Sequence, residues 1–256
     1  MTTTIKGSIH DILDDIIPKT TRVEMKPFTI IVAFNGVLTL AFNAWPKSLM
    51  DIKQRINYLP EFRDTQENFG TKWPKITVAA LINDDVPPLT LDQLQKLTAI
   101  CQEFDSALQK MDPITLANCS VVLFSSRSLE HVLCRVDYAF KTSQDLPSNE
   151  QQAYDEESYK IVQNVVEETQ HLEEYIHKVN APGHRWKTYN STHTESTLVC
   201  FLNIDDKATC RLLDLLESFR MRVDKLLPDY YHWMSKDSLH LSIRALENRS
   251  NLPRDD

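Results

Sequence analysis

Alternation of apolar and polar residues marks several strands along the chain. In the stretch 237–246, DSLHLSIRAL, apolar residues alternate with polar ones, which predicts a strand with one packed face and one polar face. The polar face would carry Ser238, His240, Ser242 and Arg244. The stretch 75–81, KITVAAL, predicts a second strand. Two β-rich runs within 27–42 flank an Asn-Gly pair and predict a hairpin.

Helical spacing of apolar residues predicts most of the remaining elements. A short amphipathic helix at 9–17 falls within a predicted N-terminal extension, residues 1–26. A Leu-rich helix follows Thr90, whose hydroxyl can cap it. Other helices are predicted over 46–58, 150–179 and 207–227. The stretch 181–197 is rich in Pro, Gly, Ser and Thr and predicts a loop, a kind of segment on which functional residues often lie.

The order of predicted elements is similar in two parts of the chain. Residues 38–108 are predicted to run strand, helix, strand, helix, and residues 197–246 to run strand, helix, strand. The second strand of each part carries a charged residue, one spacer and a hydroxyl, as in KITVAAL and HLSIRAL. We therefore expect an α+β fold with one domain over 27–246, an acidic helical insertion at about 149–180 and a tail over 247–256.

The distribution of charge limits the partners. The formal net charge is -8, and residues 149–178 hold eight acids against two lysines. Binding to duplex nucleic acid requires clustered Lys and Arg that displace counterions, so this composition argues against duplex DNA. The acidic helix predicted over 150–179 has one apolar face, which could cover a sheet or bind a protein partner.

Composition excludes several functional classes. With four glycines spread far apart, the chain has no Walker loop, no dinucleotide-binding GxGxxG and no nucleophile elbow. It also has no metal-binding motif, so we expect neither a metal nor a cofactor. Five cysteines outside CxxC pairs favour a reducing cytoplasm. No run reaches the roughly 18 apolar residues of a membrane span, so we expect a cytoplasmic protein without a membrane partner.

The two polar strands resemble the repeated motif H-x-[ST]-hydrophobic of the 2H phosphoesterase superfamily, which includes LigT-like RNA 2′,3′-cyclic phosphodiesterases. HLSIRAL matches the second copy, and PKITVAALINDDVPPLTLDQLQKL resembles the first, with Lys75 where the family has a histidine. The resemblance covers roughly 28–246. It implies a bilobal fold in which two pseudo-symmetric antiparallel sheets, with helices on their outer faces, surround a central groove. It further implies that His240 is a general acid or base and that Thr77 and Ser242 bind phosphate.

Lys75 leaves the chemistry of this site open. An ammonium with a pKa near 10.4 binds phosphate but accepts no proton at neutral pH unless burial or a nearby cation lowers that pKa. Lys75 could have such a lowered pKa and act as the second acid or base. It could instead stabilise charge beside a single catalytic histidine, or belong to a site that binds an anion without hydrolysis. A solvated lysine on a polar sheet face is the simplest alternative.

The leading hypothesis is a metal-independent phosphodiesterase acting on a cyclic phosphate or phosphodiester of a nucleotide or RNA end. The alternatives are a non-catalytic module that binds a small anionic ligand or a protein, and the same fold used for another chemistry. If the strands extend backward without a bulge, His232 and Lys236 share the face of His240, and Trp73 shares that of Lys75. These three residues, together with Lys72 and His193, are the further candidates for ligand contact.

Overall fold

The computed structural model describes residues 5–20, 23–59, 62, 72–83, 85–141, 153–190 and 194–246, with side chains from residue 9 onward. The described chain is α+β, as predicted, with seven α-helices and antiparallel sheets. The helices are α1 (Ile5–Ile16), α2 (Lys47–Asn57), α3 (Leu91–Lys110), α4 (Glu156–Glu168), α5 (Leu172–Val179), α6 (Trp186–Tyr189) and α7 (Lys207–Leu226). The strands are β1 (Val23–Met25), β2 (Pro27–Val32), β3 (Leu38–Phe42), β4 (Lys75–Leu81), β5 (Ile114–Leu116), β6 (Asn118–Phe124), β7 (Val132–Ala139), β8 (Glu195–Phe201), β9 (Tyr231–Trp233) and β10 (His240–Ala245). Within these residues, no helix combines the length and hydrophobicity that crossing a bilayer requires.

The described chain contains two four-stranded antiparallel sheets. The first has the strand order β2-β3-β4-β9, and the second has the order β10-β8-β6-β7. β4 lies inside the first sheet, whereas β10 is an edge strand of the second. β4 and β10 pack against each other, so the two sheets meet at the two strands that carry the predicted polar motifs.

The two sheets share an arrangement of three strands. In the first, β4 pairs with β3, which pairs with β2; in the second, β10 pairs with β8, which pairs with β6. A helix connects the polar strand to its neighbour in both cases, α2 before β4 and α7 before β10. β9 has no counterpart in this shared arrangement. It follows α7 and precedes β10 in the chain, but it pairs with β4 of the first sheet.

The predicted N-terminal extension contributes to the main hydrophobic core. Ile9 and Leu13 of α1 and Ile17 just after it are buried in that core. β1 pairs with β5 in a separate two-stranded sheet. The described part of residues 1–26 is therefore built into the fold through apolar packing and backbone pairing.

The prediction of one acidic helix over 150–179 is wrong, because the described part of this segment forms two helices. α4 ends at Glu168 and α5 begins at Leu172, while residues 142–152 lie outside the described chain. Between the helices, the Thr169 hydroxyl donates to the carbonyl of Val166 at 2.7 Å, and His171 has non-helical dihedrals of φ −86° and ψ 64°. A side chain that bonds to the backbone in this way competes with the helical hydrogen bonds, and here the helix ends.

The apolar face of α4 covers the first sheet. Val162 is fully buried in a cluster with Ile31, Ala41 and Trp73, which lie on or beside that sheet. Of the two roles predicted for the acidic segment, covering a sheet is therefore the one that α4 performs within the described chain.

The hairpin predicted at the Asn-Gly pair is confirmed and connects β2 to β3. Asn35 and Gly36 have φ of 61° and 73°, the left-handed conformation that these residue types adopt most readily. The Asn35 amide donates to the carbonyls of Ala181 and Pro182, at 3.1 and 2.8 Å. The hairpin tip is thus fastened to the loop that follows α5.

Candidate functional site

A cavity of about 490 Å³ lies where β4 and β10 approach each other. Its wall includes Lys75 and Thr77 from β4 and His240 and Ser242 from β10. The two polar pairs, which lie far apart in the chain, therefore face one space. A cavity of this size is typical of small-molecule sites.

Strand alternation places the β4 side chains of the cavity. Lys75 and Thr77 occupy alternate positions of β4 and both line the cavity, as the alternation predicted. Trp73 lies just before β4 and also lines the cavity. Ile76 and Val78 point the other way and are buried in the main core. Apolar packing on one face of β4 thus fixes the polar face toward the cavity.

Lys75 is held in this wall without a carboxylate partner. Its Nζ lies 4.7 Å from the centroid of the Trp73 ring. Two carboxylates line the same cavity, but Glu168 pairs with Lys178, and Glu195 pairs with Arg127 at 2.8 Å. Among the described residues, Lys75 itself forms no hydrogen bond or ion pair.

Burial lowers the pKa of the Lys75 ammonium to about 8. The physical cause is desolvation, because a partly buried charge loses hydration that the Trp73 ring replaces only in part. At pH 7 the group is still mostly protonated, but its proton is much more easily lost than that of a solvated lysine. Lys75 can therefore bind an anion and can also exchange a proton near neutral pH.

The His240 ring is oriented by a hydrogen bond to a nearby backbone carbonyl. Its Nδ1 lies 2.6 Å from the carbonyl oxygen of Ser238. Because a carbonyl only accepts, Nδ1 is the donor, and the neutral imidazole carries its lone pair on Nε2. Burial lowers the pKa of His240 below its usual value, although the bond to Ser238 acts in the opposite direction. The ring is consequently neutral at pH 7 and available as a base.

A β-bulge in β10 corrects the prediction for Arg244. Ser242 lies opposite Val199 and Arg244 opposite Leu198, so two steps along β10 correspond to one step along β8. Arg244 therefore points away from the cavity and is only 1% exposed, and its Nε donates to Asn57 at 2.7 Å. Ala245 takes its place in the cavity wall.

The backward extension of β10, on which the placement of His232 and Lys236 depended, does not occur. Residues 236–238 form a 3-10 turn, and β9 before it pairs with β4 in the other sheet. His232 consequently stacks on Trp186, with ring centroids 3.5 Å apart, and burial lowers its pKa. Neither His232 nor Lys236 lines the cavity, and Lys236 is exposed.

Two further candidates from the sequence have different outcomes. Lys72 is exposed and does not line the cavity. His193 lies outside the described residues, so the structure does not place it.

Sequence reasoning missed several polar residues of the cavity wall. Arg127 and Glu195 form an ion pair there, and Thr39 and Tyr189 also line the space. Thr39 on β3 lies opposite Thr77 on β4, a register between strands that are distant in the chain and that no local pattern in the sequence indicates. Tyr189 lies in the segment predicted as a functional loop, but nothing in its sequence context distinguishes it from its neighbours.

The arrangement brings together one neutral imidazole, one easily deprotonated ammonium and hydroxyl donors. It can hold an anion, remove a proton from water and return a proton to a leaving group. Comparison of the chain with protein-family models, with curated proteins and with solved structures finds no significant match.

Proposed function

We propose that this protein is a phosphodiesterase of the 2H type that opens a cyclic phosphate, or cleaves a phosphodiester, of a nucleotide or RNA end. One observation carries the proposal: Lys75 and Thr77 line the same cavity as His240 and Ser242. The shared three-strand arrangement of the two sheets supports the bilobal, pseudo-symmetric 2H-like fold that the sequence resemblance implies.

The reaction uses His240 as base and Lys75 as acid. Nε2 of His240 takes a proton from water while the water oxygen attacks phosphorus. The bond between phosphorus and one ribose oxygen breaks, and that oxygen receives a proton from the Lys75 ammonium. The product is a phosphate monoester beside a free hydroxyl. The proton gained by His240 and the one lost by Lys75 are exchanged with solvent, which restores the starting state.

The hydroxyls of Thr77 and Ser242 donate to the non-bridging phosphoryl oxygens. Charge accumulates on these oxygens in the transition state, so donors fixed on strands stabilise it more than the ground state. In this proposal Lys75 takes the first of the alternatives that the sequence leaves open, since its pKa of about 8 suits a proton donor at neutral pH.

The surroundings of the cavity favour a small substrate. Val165 and Glu168 of α4 and Tyr175 of α5 belong to its wall, so the acidic segment forms part of the lining of the cavity. A long polyanion would be repelled by this segment, whereas a nucleotide or a single RNA end places only its terminal phosphate near Lys75. Nucleotides and RNA ends are therefore the proposed substrates.

The test measures hydrolysis of the four nucleoside 2′,3′-cyclic monophosphates and of an oligonucleotide with a cyclic phosphate end, with EDTA present. We expect turnover by the wild-type protein and a loss of at least about 100-fold in kcat/KM for His240→Ala and for Lys75→Ala. Matched controls are His131→Ala and Lys236→Ala, which change exposed residues outside the cavity and are expected to retain full activity.

Absence of turnover with every substrate would overturn the hydrolase. In that case calorimetric binding of nucleoside 2′- and 3′-monophosphates distinguishes the remaining alternatives. Binding that is lost in Lys75→Ala indicates a module for small anionic ligands, and no binding indicates that the fold serves another chemistry.

A further inference from the structure

Two cysteines of the second sheet face each other inside the protein. Cys119 is on β6 and Cys200 is on β8, 81 positions later in the chain. Their Sγ atoms lie 3.1 Å apart, and both side chains are fully buried. Both are free thiols in this structure, and the proposed reaction uses neither of them.

The register of the sheet brings together the backbones of the two cysteines as well as their sulfur atoms. Ser120 on β6 pairs with Val199 on β8 in an antiparallel arrangement, so Cys119 and Cys200 occupy the next pair of opposite positions. Opposite residues of antiparallel strands have Cα atoms about 4.5–5.5 Å apart, within the range of about 4.4–6.8 Å that a disulfide spans. A bond of about 2.05 Å therefore needs the sulfur atoms to approach by roughly 1 Å, a shift within reach of side-chain rotation on fixed strands.

The pair lies in the hydrophobic core rather than in the cavity. Cys119 and Cys200 both belong to the main core, and neither lines the cavity. On its other side β8 pairs with β10, where Leu241 lies opposite Cys200. A bond between the two cysteines would therefore crosslink the strands that support β10 without occupying the proposed ligand space.

Burial limits when the two thiols can react. The thiolate is the attacking form of cysteine, and burial raises the pKa of Cys119, so the folded protein presents little thiolate at this position. Reaction with an oxidant consequently requires local opening of the sheet, or takes place before folding is complete. Once the bond has formed, the same burial shields it from reductants.

We propose that Cys119 and Cys200 form a structural disulfide when the chain meets a small disulfide oxidant such as oxidised glutathione. One cysteine thiolate attacks oxidised glutathione, which gives a mixed disulfide and releases one glutathione thiolate. The second cysteine thiolate attacks the protein sulfur of the mixed disulfide and releases the other glutathione thiolate. The protons of the two cysteines pass to these thiolates, and the two electrons that the cysteines lose reduce the glutathione disulfide. This modification is independent of the proposed phosphodiesterase activity.

The test refolds the full-length protein from urea in a mixture of oxidised and reduced glutathione, blocks the remaining thiols with iodoacetamide and maps the linkages by mass spectrometry. We expect a peptide pair joined through Cys119 and Cys200, and no such pair in Cys200→Ser. The matched control is Cys101→Ser, which removes another buried core cysteine and is expected to retain the link. Because the bond closes a long loop, we expect Tm of the oxidised wild-type protein to lie about 5–10 °C above that of the reduced protein.

Several results would overturn the disulfide. They are links that join other cysteines, and glutathione attached to Cys119 or Cys200 without a bond between the two. A bond that forms but lowers Tm would show that the native sheet does not accommodate it. The exposed Cys134 and Cys210 provide an internal control, because their reaction with glutathione shows that the oxidant is active. An unlinked Cys119 and Cys200 in the same sample would then contradict the proposal.

Discussion

The Lys75 ammonium faces the ring of Trp73 rather than a carboxylate, with Nζ 4.7 Å from the ring centroid. An aromatic face attracts a cation but compensates for lost hydration less completely than a carboxylate does. The protein therefore keeps a partly buried cation whose proton is loosely held. A group of this kind costs stability, and strongly perturbed pKa values cluster at functional sites.

We expect Lys75→Met to stabilise the folded protein at pH 7 by about 2 kcal/mol. Methionine has a side chain of similar length but no charge, so the substitution removes the desolvated ammonium. The folded-state pKa is about 8 and the unfolded-state value is 10.5. The unfolded chain therefore binds the proton more tightly, and wild-type stability relative to Lys75→Met rises between pH 8 and 10.5. Urea unfolding at pH 7 and pH 10 measures this difference.

The control for that experiment is Lys236→Met, which alters an exposed lysine and is expected to change stability by less than about 0.5 kcal/mol at either pH. A Lys75→Met variant less stable than the wild type at pH 7 would contradict the unfavourable burial of the ammonium.

The proposed reaction predicts a bell-shaped dependence of kcat/KM on pH. Activity requires neutral His240, whose pKa lies below 6.5, and protonated Lys75, whose pKa is about 8. The rate should therefore fall on the acid side at a pH below the usual histidine value of 6.5, and on the alkaline side above about pH 8. In Lys75→His the acid is an imidazole, so the alkaline limb should move toward pH 6.5. An alkaline limb that stays near pH 8 in this variant would assign it to another group.

The buried guanidinium of Arg244 at the β10 bulge predicts an effect on stability. Nε of Arg244 donates to Oδ1 of Asn57 at the end of α2. Asn57→Ala removes this acceptor, so we expect a loss of about 1–3 kcal/mol in the free energy of unfolding. Asn57→Asp retains an acceptor and is the matched control, expected to remain near wild-type stability. Chemical denaturation of both variants tests this, and equal losses would show that the acceptor is unimportant.

The hairpin tip predicts a second stability effect. Gly36 has φ of +73°, and a Cβ built there would lie 2.8 Å from Cδ1 of Leu81. We expect Gly36→Ala to lower the free energy of unfolding by about 1–3 kcal/mol, measured by thermal and urea unfolding. Lys160→Ala, at an exposed position of α4, is the control. A Gly36→Ala variant as stable as that control would show that the tip relaxes without cost.

Local patterns predicted the elements that position the cavity wall. Alternation on β4 predicted that Lys75 and Thr77 share a face, and the Asn-Gly pair predicted the hairpin between β2 and β3. Thr90 caps α3 in a capping box with Gln93, as its position before a Leu-rich helix indicated. Each of these features depends on residues that are close together in the chain, so a single sequence is sufficient to predict it.

The errors come from features that leave no periodic signal. A bulge inserts one residue without changing composition, so the sequence alone placed Arg244 on the wrong face. His232 joins the other sheet because of a turn at 236–238, although its spacing from His240 fits one continuous strand. Tyr189 lines the cavity, and its main-chain carbonyl accepts a hydrogen bond from the distant Ser126, a contact that a single sequence does not encode locally.

The path of the chain through the two sheets constrains how the protein can be divided. β6 and β7 come early in the chain but belong to the sheet of β10, whereas β9 comes late and completes the sheet of β4. Neither half of the polypeptide therefore contains a complete sheet, and any single cut between β4 and β10 separates Thr77 from Ser242. During refolding, the cavity between β4 and β10 forms only when distant segments of the chain join, which is the slowest kind of contact for a chain to make.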